Sequence, residues 1–173
     1  MVTFNFSGKR AIVTGGGSGI GQVIASILVA AGAQVAITGR KRERLEAAAA
    51  EIGAGCIILP SDLREPDQAQ AMVADAAAAM GGLDILINNA GRGWHAPLRS
   101  MSADVWQNDF ALNSHAAFYC AQAAYAHLKA SGNAAIVSIS SLAGTHGTMG
   151  VGAYSAAKAA LQMFTRVAAA EWG

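Results

Sequence analysis

A doubly wound α/β fold, with a parallel sheet between two layers of helices, is what this sequence of 173 residues predicts. Three observations carry the prediction. Short Val/Ile/Leu-rich runs recur along the chain, longer helical stretches separate them, and the runs are apolar almost throughout rather than alternating. Continuously apolar strands are buried on both faces, as in a parallel sheet covered by crossover helices. The length suits a single domain over residues 1–173, able to bury about 70% of its extended-chain surface.

The elements follow in order. "RAIVT" (10–14) is the first strand, succeeded by the glycine-rich "GGGSGIG" and a helix over 20–31. "QVAIT" (34–38) is the second strand, and the charged, Ala-rich stretch 41–51 the second helix. "CIIL" (56–59) is the third strand, with a helix over 67–80. "DILIN" (84–88) is the fourth, followed by a loop, a short helix over 102–109 and a long one over 111–130. "AAIVSIS" (134–140) is the fifth strand, and a last helix starts near Gly152. The Ala tracts at 47–50, 76–79 and 168–170 are helix formers with small side chains that let helices lie close to the sheet.

Composition narrows the function classes. Charged residues are 13% of the chain, apolar ones 53%, and the formal net charge is +1. There is no long basic run to coat a nucleic acid, no apolar run of the roughly 18 residues a membrane span needs, and no signal-like N-terminus. A cytoplasmic protein with no nucleic-acid or membrane partner is expected. Cys56 and Cys120 read as buried thiols, and His95, His115, His127 and His146 show no metal-binding spacing, so no metal is expected.

"TGGGSGIG" (Thr14–Gly21) joins the first strand to the first helix. Glycine there permits a tight turn and close backbone approach to a pyrophosphate, while the helix N-terminus supplies N–H donors and positive dipole. In its spacing, Thr-Gly-x-x-x-Gly-x-Gly, the sequence resembles the short-chain dehydrogenase/reductase family, and the resemblance extends over the whole chain. It implies a Rossmann-like fold, with Gly15, Ser18, Gly19 and Ile20 lining the pyrophosphate and nicotinamide side of a cofactor.

Residues at the ends of the later strands choose the cofactor. An acid at the end of the second strand would bind a ribose 2′-hydroxyl. Here "ITGRKRER" has Gly39 and Arg40 there instead, and a guanidinium suits a 2′-phosphate, so NADP(H) is preferred and NAD(H) stays open. Lys41, Arg42 and Arg44 read as a solvated helical turn. After the third strand, "SDL" offers Asp62 and Leu63 to the adenine by the same resemblance, with an ordinary turn as the alternative for Asp62. "NNAG" (88–91) ends the fourth strand. The resemblance gives Asn89 a bracing or ribose-binding role and has Ala90 and Gly91 keep the backbone close to the cofactor.

"AYSAAKAAL" sets Tyr154 and Lys158 four residues apart, on one face of a helix. A free phenol ionises near pH 10, and a neighbouring ammonium makes it a usable acid/base. Ser141 lies thirteen residues before the tyrosine, past the fifth strand. Strand C-terminal ends are where open sheets place ligands. Ser138 and Ser140 fit the pattern too, but the spacing favours Ser141. Positions 113, 117, 120, 124 and 128 form a helical stripe with one polar member, Asn113, which needs a partner or acts as a cap. The resemblance casts Ser141 as the group polarising a substrate carbonyl, Lys158 as also orienting the cofactor ribose, and Asn113 as holding a water in a proton relay. It places the regions of His95 and His146 beside the substrate, with each histidine a lining residue or a bystander and neither given a catalytic role.

The expected activity is NADP(H)-dependent interconversion of a carbonyl and a secondary alcohol. The alternatives are a non-catalytic NADP-binding form and a sugar-nucleotide epimerase, whose Thr-Gly-x-x-Gly-x-x-Gly motif fits less well. By resemblance the protein pairs as a homodimer or homotetramer through helices 111–130 and 154–171. Family members continue past the tyrosine helix with a sixth strand, a Pro-Gly loop, a helical flap and a seventh strand. The chain is therefore expected to be a fragment or a truncated form, with an exposed fifth strand and little turnover by itself.

Overall fold

The computed structural model describes residues 4–173; the first three residues of the N-terminal segment read above lie outside the described residues. Strands β1 (Arg10–Thr14), β2 (Gln34–Gly39), β3 (Cys56–Pro60), β4 (Ile85–Asn88) and β5 (Ala135–Ser138) form one sheet in the order β3-β2-β1-β4-β5. Every pairing is parallel, with Val13 opposite both Ile37 and Ile87 at the centre. The chain winds outward from β1 to β3, then returns to build β4 and β5 on the other side. The reversal leaves a crevice between the C-terminal ends of β1 and β4, where ligands bind in sheets of this kind.

Helices α1 (Gly19–Ala30) and α2 (Arg42–Ile52) cover one face, burying Ala25, Leu28, Leu45, Ala48 and Ile52 against Val13, Val35 and Ile37. Helices α3 (Pro66–Met80) and α5 (Ala116–Ser131) cover the other, and Phe164 and Trp172 of α6 (Gly152–Trp172) pack onto that core. Proline in its first turn opens α3, and left-handed Gly81 (φ 73°) and Gly132 (φ 68°) end α3 and α5. Arg10 reaches the residue before β4: its Nε donates to Asp84 at 2.7 Å, and Ser131 adds a hydrogen bond to the same carboxylate. This tie fixes the sheet at the end opposite the crevice.

The expected strands and helices are present with small boundary shifts; β5 is shorter than the run 134–140. One difference bears on the site. The helices expected at 102–109 and 111–130 do not break apart: α4 (Ala103–Phe110) runs through a π-helical turn, Ala111–His115, directly into α5. Asn113 sits inside that turn, so its reading as a helix cap is corrected. Backbone N–H groups on both sides already have helical partners, and Asn113 turns inward instead. The remaining stripe residues, Ala117, Cys120, Ala124 and Leu128, are buried as expected.

Cys120 is fully buried and its thiol is pushed up to about 12 by burial, whereas Cys56 is only half-buried. Both are free. Among the described residues no cluster of His, Cys, Asp or Glu could hold a metal ion, and no helix is long and apolar enough to cross a membrane.

Candidate active site

The crevice is built from backbone that side chains would obstruct. Gly15 turns the chain at φ 66° directly after β1, and a Cβ there would stand 3.0 Å from the Ala90 Cα. Gly21, in the first turn of α1, leaves no room for a methyl: a Cβ would come within 2.4 Å of both the Gly15 carbonyl oxygen and Asn89 Nδ2. The helix therefore starts close against the strand, its N-terminus facing the crevice, and the hydroxyl of Ser18 at that N-terminus makes no capping hydrogen bond. Gly19 (φ 56°) and Ile20 beside it are exposed.

Thr14 ties this turn to β4. Its Oγ1 donates to the Ile87 carbonyl at 3.2 Å and accepts from the N–H groups of Asn89 and Ala90, each at 2.9 Å. Asn89 returns the tie by donating from Nδ2 to the Thr14 carbonyl at 2.9 Å. Of the two roles open to Asn89, the structure shows the bracing one. In the sequence Thr14 is marked only as the opening of the glycine motif, because this role depends on β4 lying beside it.

Arg40 follows β2 with an exposed side chain and, among the described residues, no salt-bridge partner, on the same rim as Asp62 after β3. Asp62 makes the turn expected of it, accepting the Arg64 N–H at 3.2 Å, and both its oxygens take the Arg64 guanidinium. That pairing first, then the more distant Arg40 cation, holds the Asp62 carboxyl below the usual range despite partial burial. The Leu63 side chain is buried in the core, which leaves only its backbone for a ligand. Lys41, Arg42 and Arg44 are exposed as expected.

On the other side of the crevice, α6 carries half-buried Tyr154 and, one turn on, Lys158 at 3% exposure. The Lys158 Nζ lies 5.8 Å from the Tyr154 ring centroid and donates to the Ile139 carbonyl, just past β5, at 2.7 Å. Burial lowers its pKa to about 8, so it stays largely protonated at neutral pH. The phenolic hydroxyl has no protein partner among the described residues.

Asn113, Gly91 and Lys158 converge. A Cβ on Gly91 would lie 2.7 Å from Asn113 Oδ1 and 3.2 Å from Lys158 Nζ. Asn113 grips the backbone of Arg92 at both ends: Oδ1 accepts its N–H at 3.0 Å, and Nδ2 donates to its carbonyl at 2.7 Å. Nδ2 also donates to the Asp109 carbonyl at 2.9 Å.

Three serines lie at the end of β5, each with a different partner. The Ser138 hydroxyl bonds with Thr165 at 3.1 Å, and Ser140 Oγ accepts from Gln162 Nε2 at 2.8 Å. Among the described residues Ser141 Oγ accepts the Ala143 N–H of its own turn, at 3.2 Å, and like Ser140 it keeps its own hydrogen free to donate. Gln162 was missed, although 154, 158 and 162 fall on one helical face at successive turns. It holds the serine segment against α6 through Ser140 and through the Ser141 carbonyl at 3.3 Å.

His95 lies in the loop after Gly91, with its Nδ1 3.6 Å from where a Gly150 Cβ would be, and His146 is exposed and bonded to Thr145 at 2.8 Å. The two loops are joined by the Ala96 N–H to the Gly150 carbonyl at 2.8 Å.

Comparison with known proteins agrees with this geometry. The family model for short chain dehydrogenases matches residues 9–173. Gluconate 5-dehydrogenase of Gluconobacter oxydans (strain 621H) is 35% identical over 173 residues, covering 98% of this chain and 68% of its own. A crystal structure described as a putative short-chain alcohol dehydrogenase from Sinorhizobium meliloti 1021 superimposes with a TM-score of 0.94 at 38% identity, covering 99% of this chain and 69% of that one. A structure described as a citronellol catabolism dehydrogenase of Pseudomonas aeruginosa PAO1 gives a TM-score of 0.92 at 35% identity, covering 100% of this chain and 72% of that one.

Proposed function

The chain belongs to the short-chain dehydrogenase family and is an oxidoreductase acting on CH–OH donors with a nicotinamide coenzyme; from that premise we propose that it uses NADP(H) and that Tyr154 is the general acid/base. The observation that carries the proposal is Lys158, a buried ammonium one helical turn from a phenol whose hydroxyl has no partner among the described residues.

The crevice fits a dinucleotide in two respects. Side chains are missing where a Cβ would close it, at Gly15 and Gly91, and the α1 N-terminus presents a Ser18 hydroxyl not spent on capping. Gly15, Ser18, Gly19 and Ile20 would hold the pyrophosphate and nicotinamide side, Asn89, Ala90 and Gly91 the ribose side, and Asp62 with the Leu63 backbone the adenine. Tyr154 and Lys158 would reach the nicotinamide ribose. Unpaired Arg40 would take a 2′-phosphate, which favours NADP(H). The chemistry supplied by a bound coenzyme is the hydride.

The residues of the chain handle the oxygen. In reduction, Ser141 donates its free O–H to the carbonyl and stabilises the charge that develops there. Tyr154 gives that oxygen its proton, and the Lys158 ammonium stabilises the negative charge left on the phenol. Asn113 orders the Arg92 backbone beside Lys158 and supports reprotonation from water. Exposed Phe118, edge-to-face with Phe164 at 5.8 Å, supports pairing of two copies through α5 and α6.

Coenzyme oxidation with a panel of ketones, by a chain carrying the segments that family members have after the tyrosine helix, tests the reading. NADPH should be consumed in preference to NADH. Arg40→Asp should reverse that preference, chiefly through a KM for NADPH raised on the order of tenfold or more. Equal use of both coenzymes by the parent and the variant would contradict the assignment of Arg40.

A further inference from the structure

Gln162 is a half-buried amide on α6 that the mechanism above does not use. It stands one turn beyond Lys158, as Lys158 stands one turn beyond Tyr154. Its Nε2 donates twice, to Ser140 Oγ at 2.8 Å and to the Ser141 carbonyl at 3.3 Å. The second acceptor is shared: the Gly144 N–H reaches the Ser141 carbonyl at 3.0 Å, while the Ala143 N–H reaches Ser141 Oγ at 3.2 Å. The carbonyl and the hydroxyl of Ser141 are thus tied into one short turn. Anchoring the first fixes where the second lies.

That turn rests directly on the helix. A Cβ on Gly144 would lie 2.7 Å from Gln162 Nε2, 3.0 Å from the Lys158 carbonyl carbon and 3.1 Å from the Ala159 nitrogen. Just before the serines, Lys158 Nζ donates to the Ile139 carbonyl at 2.7 Å. Lys158 therefore grips the start of segment 139–144 and Gln162 its middle, from one face of the helix that also carries Tyr154. A side chain of similar length without a donor would leave the Ser141 carbonyl to the Gly144 N–H alone.

We propose that Gln162 is a positioning residue: by holding Ser140 Oγ and the Ser141 carbonyl to α6, it sets the Ser141 hydroxyl at a fixed distance from Tyr154, so that both reach one substrate oxygen. The inference rests on the functional reading of Ser141 and Tyr154 for its importance, but its hydrogen bonds are tested without it.

The Ala143 and Gly144 amides report the Ser141 turn, because their acceptors are Ser141 Oγ and the Ser141 carbonyl. Their hydrogen exchange is followed by NMR on the chain of residues 1–173. Gln162→Met and Gln162→Glu keep the length of the side chain without a donor, and either suffices should the other fail to fold. Both amides should exchange at least about tenfold faster in the variants, with the amides between β1 and β4 unchanged. Unprotected amides in the parent, or unchanged exchange in the variants, would overturn the proposal; so would acceleration spread through β1 and β4, the mark of a merely structural role. In turnover by the longer chain, Gln162→Met should lower kcat about tenfold and leave the KM for coenzyme within about twofold. A full kcat in a variant whose turn exchanges faster would likewise overturn it. A parent that transfers no hydride would sink the functional reading and leave the exchange result to decide whether Gln162 holds the turn.

Discussion

Lys158 sits with a single acceptor, the Ile139 carbonyl, at 3% exposure, and its pKa falls from 10.5 to about 8. Below about pH 8 the lysine is charged in both folded and unfolded chains, and the cost of burying the charge is present in full. Between about 8 and 10.5 the unfolded chain binds a proton that the folded one lacks, so stability rises with pH through that window. Lys158→Met keeps the apolar stem without the charge. It should be more stable than the parent by about 2–3 kcal/mol at pH 7, with the gap closing near pH 10. Urea melts at the two values check this; a gap that does not change with pH would contradict it. That Tyr154 and Lys158 share one helical face was legible in the sequence because helical period is a local property. The Ile139 carbonyl and the Thr14 knot were not, since each depends on a contact between segments distant in the chain.

The element that makes the crevice is the β1 turn and the first turn of α1. Gly21→Ala would drive a methyl into the Gly15 carbonyl and Asn89 Nδ2, both 2.4 Å away; the first is backbone, and the second is held by hydrogen bonds to the Thr14 and Gly15 carbonyls. The helix would have to back away from the strand. We expect a loss of about 1–3 kcal/mol in stability and coenzyme binding weakened on the order of tenfold, read by urea melts and fluorescence titration. Full affinity in the alanine variant would contradict the close approach. At this scale the sequence was most informative: continuous apolar runs identified five parallel strands, and the glycine motif marked the switch point. It failed where two helices merge. A π-helical turn inserts one residue without interrupting the apolar stripe, so periodicity alone could not show that α4 and α5 are continuous through Asn113.

For the molecule as a whole, one face of the sheet is thinly covered. Ile20, Val23 and Ile27 of α1 are 64%, 57% and 55% exposed. Ile136 belongs to the core on the α3–α5 face, so its neighbour Val137, 44% exposed, points to the α1 side. Among the described residues β5 pairs with β4 alone, and an uncharged edge with apolar flanks invites pairing with another chain. Val137→Lys should reduce concentration-dependent association of the chain of residues 1–173, measured by light scattering. No change would place the association elsewhere. This exposure agrees with the expectation of an open fifth strand, which came from family resemblance, because periodicity within a strand says nothing about what lies beside it.

Tyr154→Phe measures the central claim most directly. Deleting one oxygen from a half-buried ring leaves the packing of Gly93 and Lys158 in place. Hydride transfer from NADPH to a ketone should fall by at least about a hundredfold, while the coenzyme dissociation constant and the urea midpoint stay near those of the parent. A phenylalanine variant that retains more than about a tenth of the parental rate, with binding and stability intact, would contradict the account.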